Sequence, residues 1–190
     1  MTTENEKILD DAKKHVADLY WLAFLLTERQ DLSIEIASDA VSAHDASPFA
    51  DWMRGWQRRL VIGRALSAIH DELVDSARRT PLMGVNGSSA RAQSWSLDPN
   101  TTKADLEQAL LAIDPFPRAA LLLLVFEGMP IAEAATLLDA DPALIRKAQA
   151  IGLRELTANL ADEHSPKGHR GNRPAPRKLC SWLRTMAVCH

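Results

Sequence analysis

Cysteine is nearly missing from this chain: only Cys180 and Cys189 occur in 190 residues, both near the C-terminal end. Two thiols so placed exclude a disulfide framework and fit a reducing, cytoplasmic setting. Long apolar runs are missing too. The longest, near Ala119 to Phe126 and Leu22 to Leu26, have the length of buried helix segments, well short of the roughly 20 residues that span a bilayer. Met1 to Asp11 is acidic and polar, so neither a signal peptide nor a membrane partner is expected. Aromatic residues make up only 5 % and strand-like alternation is hard to find, while Ala and Leu dominate. An all-α fold is the expectation, and 46 % hydrophobic content is ordinary for a globular protein.

Signatures of catalysis are also lacking. The six histidines are scattered, with His15, His44 and His70 in the first half and His164, His169 and His190 towards the end. There is no His-Glu-x-x-His pair, no Gly-rich phosphate loop and no nucleophile elbow, so no enzyme, cofactor or metal is expected. Cys180, Cys189 and His190 with His164 or His169 lack the regular spacing of a zinc site.

Charge is present but unevenly spread. Residues 1–80 hold 10 basic and 14 acidic side chains, residues 103–162 hold 5 and 9, and residues 163–190 hold 6 and 1. A domain that binds DNA tightly by itself usually carries a net positive face, because phosphate neutralisation supplies much of the affinity. The helical body shows no such excess, which favours function alongside a partner that contributes affinity. The basic tail, with Lys167, Arg170, Arg173, Arg177, Lys178 and Arg184, is suited to non-specific attraction of DNA or a partner.

Helical periodicity divides the chain. A first block, residues 1–79, opens with Ile8, Ala12, His15, Leu19, Leu22 and Leu26 on one face, breaks at Glu28 to Asp31, and resumes with Leu32, Ile36, Ala40 and Ala43. Ala46-Ser47-Pro48 reads as a loop, followed by one long helix from Pro48 to about Leu73. Residues 80–102 turn to Gly, Ser, Asn, Pro and Gln without a helical period and read as a flexible linker. In residues 103–162, Thr101 or Thr102 caps a helix with Leu106, Ala109, Leu110 and Ile113 on its face, and Asp114-Pro115-Phe116-Pro117 ends it. Residues 163–190 read as a basic, disordered tail that closes on a short helix at Lys178 to Val188.

The most specific stretch runs from Glu127 to Lys147. A helix-turn-helix needs a small residue where its helices touch, a turn residue tolerant of positive φ four positions later, and a β-branched apolar residue six positions beyond that. Ala135, Asp139 and Ile145 fill those slots. Asp is among the few side chains that visit the left-handed region at modest cost. Asp141 then serves as N-cap with Pro142 in the first helical position, while Gly128 closes the helix upstream and Pro130 opens the next.

With these residues in place, the second half of the chain resembles region 4 of the sigma-70 family of sigma factors: Leu106 to Leu110, the Pro-marked break, an Arg118 to Phe126 helix, Glu127-Gly128, Glu133 to Ala135, and Ile145-Arg146 through Leu156. The first block resembles region 2. Leu19 to Thr27 is similar to its opening helix, Asp31 to Ala43 to its acidic second helix, and Phe49 to Leu66 to its promoter-melting helix. Two units without further sigma domains resemble the small extracytoplasmic-function group.

That resemblance implies core RNA polymerase and promoter DNA as partners, with an anti-sigma factor a further candidate. Asp31, Glu35 and Asp39, on one side of the second helix, would dock polymerase; a solvated acidic face would have the same pattern. Trp52, Trp56, Arg58, Arg59 and Arg64 would engage melted DNA, although an i, i+4 Trp pair serves a core equally well. Arg146, Lys147, Gln149 and Arg154 would contact duplex DNA from the second helix of the helix-turn-helix. The chain departs from the family pattern in having Arg58-Arg59 and Gly63 where Arg-Asn and Asp are common. Ala148, Ala150 and Ile151 likewise stand at usually basic or polar positions. Two functions follow: an alternative sigma factor, or a sigma-like interaction protein that binds an anti-sigma factor or polymerase without reading promoters.

Overall fold

The computed structural model describes residues 4–42, 50–80 and 101–164. Every regular element among them is helical: α1 (Glu4–Thr27), α2 (Gln30–Ser42), α3 (Ala50–Ala68), α4 (His70–Arg79), α5 (Lys103–Leu111), α6 (Pro115–Leu121) continued by a π turn (Leu122–Phe126), α7 (Ile131–Leu137) and α8 (Pro142–His164). The expected loop at Ala46 to Pro48, most of the expected linker and the basic tail lie outside the described residues.

Helix α1 packs against α2 and α3, with Leu19, Leu22 and Leu26 in the core as the periodicity requires. The buried stripe stops short of Ala12, which is exposed; His15 is half-buried and its Nε2 meets Gln57 Oε1 at 2.7 Å. The α1–α2 corner is made by Glu28, one of two described non-glycine residues with positive φ (57°). Buried Thr27 and Ser33 satisfy that corner. Thr27 Oγ1 lies 3.0 Å from Ser33 Oγ and accepts from Arg29 N at 3.3 Å, while Ser33 Oγ donates to Arg29 O at 2.6 Å.

The single long helix expected from Pro48 to Leu73 is two helices. Ile69 adopts φ −112°, ψ 19° between α3 and α4, yet Leu73 N still reaches Ile69 O at 2.9 Å. The bend preserves most of the backbone bonding and keeps Ile69 and Leu73 in the core. A second correction concerns Asp114-Pro115-Phe116-Pro117, which starts a helix as well as ending one. Pro115 takes the first position of α6, where a missing N–H costs nothing. Asp114 makes no side-chain cap there; instead Phe116 N donates to the buried Ser76 Oγ of α4 at 3.1 Å. By contrast, α5 has a local capping box in which Thr102 Oγ1 accepts from Asp105 N and the Asp105 carboxylate accepts from Thr102 N.

The third correction is that the expected Arg118 to Phe126 helix starts at Pro115 and widens into the π turn. The wide spacing persists to its end, where Glu127 N donates to Leu122 O and Met129 N to Leu123 O, each at 2.9 Å. Gly128 then reverses the chain at φ +63°. Helices α6 and α8 pack closely: a Cβ on Gly152 would lie 2.7 Å from Pro117 O.

Both halves of the chain contribute to one buried cluster. Leu19, Ile36, Ile62 and Leu73 belong to it together with Leu110, Phe116, Leu121, Ile145 and Leu156. Helix α4 packs on α6, and α1 touches α5 and α6. Among the described residues the two halves share a core, while most of the expected tether lies outside them. One deeply placed charge joins them, since Arg118 of α6, 1 % exposed, pairs with Glu28 at the α1–α2 corner.

Candidate nucleic-acid interface

Helices α7 and α8 meet through the residues that the sequence marked for that purpose. Asp139 has φ 46°, and Ala140 N reaches back to Ala135 O at 3.1 Å, closing the turn. Ile145 of α8 and Ala134 and Ala135 of α7 are all buried, and the two helices pack together. Asp141 caps α8, its Oδ1 accepting from Ala143 N at 2.6 Å, with Pro142 as first helical residue.

The outward side of α8 is sparse. Arg146 and Arg154 are exposed, Lys147 and Gln149 are half-buried, Ala148 is fully buried and Ala150 is exposed. Of the four side chains expected to touch duplex DNA, two are therefore exposed. Further along, burial and the charge of Asp114 push the Glu155 carboxyl above its ordinary value of 4.5, with Arg154 pulling the other way. A raised carboxyl contributes its full stability below pH 4.5 and loses it as pH rises past that value. Glu155→Gln is thus expected to raise the melting temperature at pH 7 by about one to two degrees, the group being only half-buried. At pH 3.5 the gain is expected to vanish; an equal gain at both pH values would remove the titration as its cause.

The other group of expected DNA-binding residues lies on α3. Trp56 is 40 % exposed and does not belong to the core; the side chain of Trp52 lies outside the described residues. The arginines of α3 all meet carboxylates. Arg54 pairs with Asp11 of α1, and Arg64 with Asp39 of α2. Arg58 grips Glu127 with two nitrogens, Nε donating to Oε2 at 2.9 Å and Nη2 to Oε1. Arg59 Nη2 lies 3.4 Å from Glu133 Oε1. The hydrogen bond to Glu127 pushes the Arg58 guanidinium above its already high ordinary value, outweighing burial.

No family model, curated protein or solved structure matches the chain.

Asp31, Glu35 and Asp39 are all exposed on α2, but they are not equivalent. Asp39 is engaged by Arg64, so a residue expected to face polymerase is paired with one expected to face DNA. Near the other end of α2, Tyr20 stacks on Phe24 with ring centroids 6.1 Å apart. Burial, then the carboxylates of Glu107 and Asp31, raise the Tyr20 hydroxyl above its ordinary value.

The contacts between the two halves were not expected from the sequence. Trp21 Nε1 donates to Glu107 Oε2 at 2.9 Å, and Lys103 Nζ sits 4.7 Å from the Trp21 ring centroid. Nothing in the sequence around Glu127 and Glu133 marks them as partners of α3. No group of three or more His, Cys, Asp or Glu among the described residues is arranged to hold a metal ion. Nor is any helix among them long and apolar enough to cross a membrane.

Proposed function

We propose that this chain is an alternative sigma factor of the small extracytoplasmic-function type, which binds core RNA polymerase and directs promoter recognition in transcription initiation. The observation that carries this reading is the α7–α8 pair: positive φ at Asp139, a buried Ile145 and a capped α8 that presents Arg146 and Arg154 outward. A helix held at its base by such a turn, with cations on its free side, is suited to lie in a major groove. The arginine-rich α3 with exposed Trp56 offers the complementary chemistry for melted DNA, cations for phosphate and a ring face for bases. Exposed Asp31 and Glu35 supply an acidic side on α2 for polymerase. In this reading the protein acts in the cytoplasm.

Run-off transcription with purified core polymerase and a pool of genomic fragments tests the proposal. Discrete, promoter-dependent transcripts are expected from the wild-type chain. Arg146→Ala is expected to weaken duplex binding and flatten the log–log salt dependence by about 0.9 if it neutralises one phosphate. A second reading, a sigma-like protein that binds polymerase or an anti-sigma factor without reading promoters, is favoured by the sparse surface of α8 and the engaged arginines of α3. Stable polymerase binding without transcripts would select it and sink the first.

A further inference from the structure

Resting on the nucleic-acid reading of α3, we propose that Glu127 and Glu133 mask its phosphate-binding arginines in cis, so that the packed arrangement of the two halves is a closed, low-affinity state for single-stranded nucleic acid.

Arg58 and Arg59 are adjacent in sequence, and both are engaged by carboxylates from the far half of the chain, 69 residues away in the case of Arg58. The Arg58–Glu127 contact is the two-pronged arrangement in which a guanidinium also grips a phosphate. The Glu127 side chain is 11 % exposed and that of Arg58 38 %, so this carboxylate is seated on α3 rather than waving in solvent. Its position is set by the π turn and by Gly128, which follow α6 directly, and Glu133 lies in the first turn of α7. The segment that carries the exposed side of α8 thereby also carries the anions that neutralise α3. Trp56, 40 % exposed, stands three residues before Arg59 and so shares its side of the helix. A phosphate backbone approaching this face must displace two carboxylates that are already in place, whereas Arg54 and Arg64 are neutralised from within the first half by Asp11 and Asp39. Masking by Glu127 and Glu133 comes from the π turn and α7, at the edge of the shared core, and is lifted when those carboxylates leave α3, whereas Asp11 and Asp39 stand on the helices that pack directly against α3.

The test uses the full chain and a fluorescein-labelled, 20-nucleotide single-stranded DNA of mixed sequence, with affinity read by anisotropy over a range of salt. The Glu127→Gln/Glu133→Gln variant is expected to bind about tenfold more tightly than wild type. Its log–log salt slope is expected to be steeper by about 1.4, two further phosphates being neutralised on a single strand. Adding Arg58→Ala and Arg59→Ala to that variant is expected to abolish both changes. Glu133→Gln alone, at a half-exposed pair that little else depends on, is expected to give about a threefold gain, and circular dichroism melts confirm that each variant is folded. Equal affinity and equal slope for wild type and the double Gln variant would overturn the masking and leave the nucleic-acid reading standing. If neither binds but promoter-dependent transcription occurs, the masking alone is wrong. Absence of both binding and transcription overturns both.

Discussion

Replacing Glu28 with Ala is expected to destabilise the protein by about 3–5 kcal/mol, and replacing Arg118 with Met by only about 1–3 kcal/mol, although Arg118 is the buried member of the pair. Arg118 is 1 % exposed and the Glu28 side chain 48 %. One guanidinium nitrogen of Arg118 donates to Ile113 O at 2.9 Å and Leu111 O at 3.4 Å, another meets Glu28, and Nε has no hydrogen-bond partner. Without Glu28, a full positive charge remains in the core with only backbone carbonyls to offset it. Without Arg118, the unbranched Met stem still fills most of the space, Glu28 turns to water, and the main loss is two carbonyl hydrogen bonds. Urea denaturation of the two variants at neutral pH measures the difference. The reverse order would mean that the guanidinium finds its solvation elsewhere.

Gly152→Ala is expected to cost about 2–3 kcal/mol, even though Ala is the better helix former by about 1 kcal/mol at an exposed helical site. The new Cβ would sit 2.7 Å from Pro117 O and 3.2 Å from Leu121 Cβ. A backbone carbonyl cannot rotate away as a flexible side chain can, so α6 and α8 must separate, and the core between them loosens. Gly55→Ala and Gly63→Ala on α3 provide the contrast, since nothing lies within 4 Å of a Cβ at either position. Both are expected to be neutral or stabilising by about 0.5–1 kcal/mol. Thermal melts decide it: at roughly 2–4 °C per kcal/mol for a chain of this size, Gly152→Ala lowers the midpoint by several degrees while the α3 variants do not. A stable Gly152→Ala protein would refute the close approach of α6 and α8.

The features legible in the sequence are those decided within a few residues. Asp139 and Gly128 are found at positive φ, Thr102 and Asp141 cap helices, and Ile145 is buried, because each depends on its own turn and the period of its helix. The bend at Ile69 left no trace, since an apolar residue at helical spacing with no Gly or Pro beside it reads as more helix. The π turn is hidden for a similar reason, as Leu122 to Phe126 is apolar throughout and any register through it looks alike. The candidate site was legible in its residues but not in their partners. Arg58 and Glu127, or Trp21 and Glu107, which are 86 residues apart, meet only once the two halves pack together, Trp21 and Glu107 where α1 touches α5. The shared core of the two halves was hidden for the same reason. A charged residue such as Arg118 at a helix start suggests a surface, and only the Glu28 corner of the other half makes its burial tolerable.

The hydrogen bond from Phe116 N to Ser76 Oγ carries a consequence for the order in which the chain acquires its structure. Helix α6 makes no side-chain cap of its own, and its first turn contains two prolines that contribute no N–H. Its nucleation, the costliest step in forming any helix, is thus assisted by a hydroxyl 40 residues earlier in the chain. The first turn of α6 is therefore expected to depend on α4 being in place, so that Ser76→Ala frays α6 at its start, seen as faster amide exchange there, before it loosens the other helices of the second half.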